Sequence, residues 1–222
     1  MTAEKLSEAR DARAGVSLSA WPPRVRLVWL HAVSRRVPMA LAALAACAIG
    51  LRVALIGHWD AYGALQLPLV FETASVCVIT VSTASPLGEP ERVAGRWLPW
   101  LRLGGAVALT AIAVGALAAG AVGGHLAGGT LDVLRNVAGM TGIGLLCATV
   151  LGGGLAWTGP AAYLIAGVYG LYTLWHAPAV TTPWLWPARS PHDLGAATCA
   201  GLVLACGLAL FAVRGARDPA GE

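Results

Sequence analysis

Charge is what this chain has least of. Only 12% of its residues are Asp, Glu, Lys or Arg, about half of what a water-soluble domain carries. With 222 residues and 57% apolar side chains, a water-facing surface cannot be covered. Phenylalanine is nearly missing: two Phe stand against nine Trp, the aromatic that favours the lipid–water boundary. Paired cysteines are lacking as well. Cys47, Cys77, Cys147, Cys199 and Cys206 fall in apolar runs without C-x-x-C spacing, so they read as small core residues. No phosphate loop of the form G-x-x-x-x-G-K-[ST] is present, nor any G-x-S-x-G, H-E-x-x-H or kinase signature. No catalytic residue, cofactor or metal is therefore expected of this chain. A Lys/Arg-rich helix with interleaved aromatics is also missing, which argues against nucleic acid as a partner. The N-terminus opens on charged and polar residues rather than the apolar core of a signal peptide.

What the chain does have is long apolar runs. Six of them, at about residues 37–57, 64–84, 103–123, 134–156, 159–176 and 194–213, each approach the ~20 residues needed to cross a bilayer core. Helices satisfy their own backbone polar groups, as lipid requires. The expected fold is an all-α membrane protein in a cell membrane, with six transmembrane helices over residues 37–213. Residues 1–23 have the polar, Ala/Ser-rich composition of a disordered tail. Residues 24–36, RVRLVWLHAVSRR, mix basic side chains with Val, Leu and Trp. They read as an amphipathic helix in the headgroup layer, or as an extension of the first span. Residues 214–222 form a short tail.

Basic residues set the expected orientation. With the N-terminus inside, twelve lie on the inner side: Lys5, Arg10, Arg13, Arg24, Arg26, Arg35, Arg36, Arg92, Arg96, Arg102, Arg214 and Arg217. Three, Arg52, Arg135 and Arg189, lie on the outer side. Both termini are therefore expected in the cytoplasm, as an even number of spans requires.

Charge inside an apolar run needs a reason, because it costs about 2.5–3.5 kcal/mol on insertion scales. Glu72, in PLVFETASVCVITV, is the carboxylate placed deepest. Arg52 lies in the neighbouring span, so an Arg52–Glu72 ion pair across the hairpin is expected; a transport or proton-relay role for Glu72 is the competing reading. His58, Asp60, His125, Asp132, His176, His192 and Asp193 gather at outer helix ends. They come from separate segments without ligand spacing, so they read as solvated ends rather than a metal site.

Two segments are irregular. HAPAVTTPWLWPARSPHD carries Pro178, Pro183, Pro187 and Pro191, which forbid a regular helix. With Trp184, Trp186 and Pro187 at its centre, it reads as a re-entrant or interfacial hairpin at the outer leaflet, or as an aromatic anchor. ASPLGEPERVAGRWLPWLRL, between spans two and three, contains a Glu89-Pro90-Glu91 start suited to a short helix. It reads as a docking knob for a soluble partner, or as a solvated loop with Trp anchors. Gly139, Gly142, Gly144 and the triplet at 152–154 give the fourth span small residues suited to close helix packing.

Together these features resemble the membrane subunit of an ABC-2-type exporter. The phrases SPLGEPERVAGRWLPWLR, LRNVAGMTGIGLL and TPWLWPARSPHDLGAA are also similar to small permease-like membrane proteins of high-GC actinobacteria. The likeness covers residues 24–215. It implies that residues 89–97 are a coupling helix inserted into a separate cytoplasmic ATPase, with Glu89, Glu91, Arg92, Arg96 and Trp97 making the contacts. It implies further a homodimer, or pairing with a second membrane chain, and export of a lipid, peptide or natural product. A non-transporting accessory, scaffold or immunity protein acting through helix contacts is the alternative.

Overall fold

The computed structural model describes residues 36–57, 61–82, 98–124, 126, 128–176 and 182–216. Among these residues all regular structure is helical: α1 (Val37–Ile56), α2 (Ala61–Ser82), α3 (Leu98–Gly120), α4 (Gly129–Leu151), α5 (Thr158–His176) and α6 (Leu194–Arg214). Two single 3₁₀ turns, Gly153–Leu155 and Trp186–Ala188, join the last three.

Local sequence sets most of these limits. Pro38 lies in the first turn of α1, where its missing N–H is no loss. α4 starts after Gly128 and stops at Gly152, whose φ of 91° is a left-handed geometry that glycine adopts without strain. Asp193 caps α6 by accepting the Ala196 N–H at 3.1 Å, which satisfies one orphan donor of the first turn.

Five helices, α1, α2, α3, α4 and α6, are long and apolar enough to cross a membrane. The chain is a multi-pass membrane protein. α5 falls short of the same measure: over 19 residues, Tyr163, Tyr169, Tyr172 and Pro160 dilute its apolar side chains. Two helices also begin earlier than the apolar runs predict, at Leu98 and Gly129 rather than near residues 103 and 134. The reason is that Arg102 and Asp132, the charged residues just outside those runs, lie within helices.

The bundle runs alternately up and down. Gly120 of α3 lies against the Ala48 carbonyl of α1, and Arg52 donates to the Val122 carbonyl just beyond α3, so α1 and α3 are parallel. Gly215, after α6, touches the Arg102 guanidinium near the start of α3. The start of α1 and the end of α6 therefore share one end, called proximal here. The opposite end, holding Ile56, Gly123, Gly128 and Asp193, is distal.

α4 is the central helix. Leu69, Val76 and Ile79 of α2, Leu117 of α3, and Val137 and Met140 of α4 belong to the main buried cluster. Ala106, Leu145, Ala148, Ala156 and Phe211 close the proximal end. The α4–α6 crossing is backbone on backbone. A Cβ on Gly142 would lie 2.5 Å from the Val203 carbonyl oxygen, and one on Gly207 would lie 2.6 Å from the Gly142 carbonyl oxygen. Small residues make this approach possible, and close packing is what holds helices together where lipid removes the hydrophobic drive. Outward positions are apolar instead: Met39, Ile49, Ile56, Ile165, Leu202 and Val213 are each at least 65% exposed. That surface suits hydrocarbon and would aggregate in water.

Candidate functional site

Polar side chains inside an apolar bundle are costly unless they find partners. Here the buried charged and amide side chains, Glu72, Arg135 and Asn136, gather in one place, beneath the distal ends of α2 and α4. Asp132, Arg135 and Asn136 are spaced three and four apart on α4, so they share one helix face. Glu72 of α2 meets that face: the Asn136 amide donates to its carboxylate at 2.9 Å, with both residues buried.

Arg135 is 6% exposed, and both of its terminal nitrogens are engaged, while its Nε has no partner among the described residues. One terminal nitrogen donates to the Ser190 carbonyl at 2.7 Å. The other donates to the Arg189 carbonyl at 3.2 Å and pairs with Asp132 at 2.6 Å. A planar guanidinium fork suits such divided use, and a lysine could not reproduce it. Asp132 in turn presses against Gly128, where any Cβ would collide with its carboxylate.

The lid over this cluster is the Pro-rich connection, residues 183–193. Successive turns carry hydrogen bonds from Leu185 N–H to the Thr182 carbonyl (3.1 Å), from Ala188 N–H to Leu185 (3.2 Å) and from Asp193 N–H to Ser190 (3.1 Å). Leu185, Trp186, Pro187 and Ala188 are buried, whereas Trp184 is 52% exposed. The Trp186 ring lies against Gly139, ten residues into α4, roughly 15 Å along the helix axis at 1.5 Å per residue. It also packs on Tyr163, with ring centroids 4.5 Å apart and planes tilted by 30°. The Tyr163 hydroxyl donates to the Trp184 carbonyl at 2.7 Å. Gly167 receives Pro187, and Gly170 receives Leu185 and Ala188. The segment is thus a wedge of irregular backbone driven into the bundle, tied by Arg135 on one side and Tyr163 on the other. Its far end is pinned by Arg189, whose Nε donates to Asp193 at 2.6 Å. The Ala196 N–H and then the Arg189 guanidinium hold the Asp193 carboxyl below its usual range.

Under the wedge lies a cavity of about 30 Å³, lined among others by Leu65, Pro68, Glu72, Asp132, Asn136 and Pro187. It has room for one or two waters.

The expected Arg52–Glu72 ion pair is not what the fold builds. Arg52 turns to the Val122 carbonyl at the α3–α4 turn, and Glu72 turns inward to Asn136. Asp132 is not a solvated helix end either, but half of a partly buried ion pair. The docking residues Glu89, Glu91, Arg92, Arg96 and Trp97 lie outside the described residues, as does the helix expected at residues 24–36 except for Arg36; so do His58, Asp60 and His125. Asn136 was missed by sequence reasoning because an amide carries no charge to flag it. Its spacing of four from Asp132 was the available signal.

As for chemistry, three buried hydroxyls serve their own helices: Thr73, Ser75 and Thr110 each donate to the carbonyl four residues back. Among the described residues no three His, Cys, Asp or Glu side chains converge. No family profile, characterised protein or solved structure matches this chain.

Proposed function

We propose that the chain is the permease-like membrane subunit of an ABC-type exporter, driven by a separate cytoplasmic ATPase and moving an amphipathic substrate. In this reading α5 crosses the membrane with the other five helices, the proximal end faces the cytoplasm, and both termini lie there. The twelve-to-three distribution of basic residues supports that sidedness. The carrying observation is the distal wedge. Irregular backbone this deep in a helical bundle, tied to ionisable groups, is what transport proteins place around the path of a substrate. Motion of the wedge against α4 and α5 would alternate with helix rocking set by the nucleotide state of the partner. The residues from Glu89 to Trp97 would receive that signal, and a homodimer or a second membrane chain would cover the apolar flank of α1.

One observation favours the other reading, a non-transporting accessory, scaffold or immunity protein: a cavity of about 30 Å³ is far below the ~300 Å³ at which pockets for organic ligands begin.

Affinity purification of the tagged chain from its own membranes in mild detergent tests the proposal. The expected result is co-purification of a nucleotide-hydrolysing subunit that is lost in the double variant Glu91→Lys, Arg92→Glu. Recovery of the chain without any ATP hydrolase, under conditions that preserve other membrane complexes, sinks the exporter reading and leaves the accessory one.

A further inference from the structure

The distal cavity carries an imbalance that its own residues leave unresolved. Glu72 and Asp132 bring two carboxylates to its wall, and Arg135 brings one guanidinium. That guanidinium is already divided among Asp132 and the carbonyls of Arg189 and Ser190. Glu72, 2% exposed, is met by a neutral amide. With both acids ionised, one formal negative charge is left over among the described residues of this wall.

A second observation comes from Asn136. This side chain lines the same cavity and is 6% exposed, yet its Oδ1 accepts no hydrogen bond among the described residues. A buried amide oxygen without a donor is destabilising, and such groups in native folds call for an unseen partner. Pro68 stands inside α2 on the cavity wall, and having no N–H it interrupts the hydrogen-bond ladder of that helix. Freed carbonyls of interrupted helices are a recurrent way to hold monovalent cations within a membrane.

We infer that this cavity binds one small monovalent cation, with sodium the fitting ion, between the Glu72 and Asp132 carboxylates and the Asn136 amide oxygen. Charge selects the valence: one positive charge neutralises the cluster, while a divalent ion would invert it. Donor chemistry selects a hard ion, since every available ligand is oxygen. Space selects a dehydrated one. A cavity of about 30 Å³ has no room for the water shell magnesium retains, and its few donors fall short of the 6–8 oxygens calcium takes. Among the described residues the ionisable groups near the site are Glu72 from α2, Asp132 and Arg135 from α4, and His192 from the wedge, close enough to act on Asp132. The site belongs to this chain alone and does not depend on an ATPase partner.

The test uses the purified full chain in detergent at constant ionic strength, exchanging choline chloride for sodium chloride. Sodium at ten times its dissociation constant multiplies the folded-to-unfolded ratio about elevenfold, a rise in melting temperature of about 3–6 °C for a chain of this size. The rise saturates, and radioactive sodium binds at one ion per chain. Glu72→Gln keeps the shape and removes the charge. It should fold, by gel filtration and helical circular dichroism, and lose both responses. Asn136→Leu should lose them also, which guards against a fold-specific artefact at Glu72. Equal melting temperatures in sodium and choline overturn the inference. So does stabilisation of the wild type by acid alone, which would give the site to a proton.

Discussion

Arg135 is the residue on which the wedge depends most, and its removal has a calculable effect. It makes two hydrogen bonds from a charged group to wedge carbonyls, at 2.7 and 3.2 Å, from a side chain that is 6% exposed. Hydrogen bonds to charged groups contribute about 1.5–3 kcal/mol each. Counting the longer one at the low end, Arg135→Met weakens wedge docking by about 3 kcal/mol, or roughly a hundredfold in the open-to-closed ratio at 1.4 kcal/mol per decade. The helices keep their own hydrogen bonds, so the loss is local and helical circular dichroism stays near wild type. Ala188→Cys, placed at a position 8% exposed in a background without the five native cysteines, reports opening. Its maleimide labelling rate should rise about a hundredfold in Arg135→Met by the same conversion. Arg135→Lys should fall between, because one ammonium cannot span Asp132 and both carbonyls. An unchanged labelling rate in Arg135→Met would refute the clamp.

Three further expectations concern packing and capping. Gly142→Ala places a methyl against the backbone of α6, with 2.5 Å to the Val203 carbonyl oxygen. It should destabilise by about 1–3 kcal/mol, whereas Gly201→Ala, with nothing within 4 Å, should be neutral or gain up to about 1 kcal/mol in helix propensity; melting in detergent separates the two. Trp186→Ala empties the volume between Gly139 and Tyr163 and should cost about 3–5 kcal/mol. Trp186→Phe should cost less, because the indole N–H has no partner among the described residues; both are read by melting and by Ala188→Cys labelling. The Asp193 cap should be pH-sensitive. Its carboxyl is held below the ordinary value of 3.8, so its contribution is complete above that value and is lost as pH falls through the lowered one. Hydrogen exchange at the start of α6 should therefore speed up below about pH 4 in the wild type. Asp193→Asn, which still caps, should remove that pH dependence.

Apolar runs made the six helices legible, because hydrocarbon tolerates few alternatives to a helix. Their ends were less legible. Excluding Arg102 and Asp132 from the spans moved two starts by about one turn, since a charge can remain in a helix once a partner receives it, as Arg135 receives Asp132. The fate of Glu72 was legible as a question only. The hairpin made Arg52 the obvious partner by proximity along the chain, but Arg52 serves the Val122 carbonyl and the carboxylate faces α4. That choice depends on helix rotation, which α1, apolar all round apart from Arg52, does not encode: only Ala40, Leu44 and Leu51 of that helix are buried. In the wedge, four prolines announced irregular backbone. Which tryptophan would point inward was set by Gly139, some fifty residues upstream, and sequence spacing does not reveal such a pairing.

The whole account rests on a bundle that crosses a membrane an even number of times and returns its ends to one side. Single cysteines introduced into the cysteine-free chain measure this directly: Ser190→Cys in the distal wedge and Ala216→Cys just beyond α6. A membrane-impermeant maleimide added to intact cells should modify Ser190→Cys at once and reach Ala216→Cys after permeabilisation only. Modification of Ala216→Cys in intact cells, or of both positions from the same side, would contradict it.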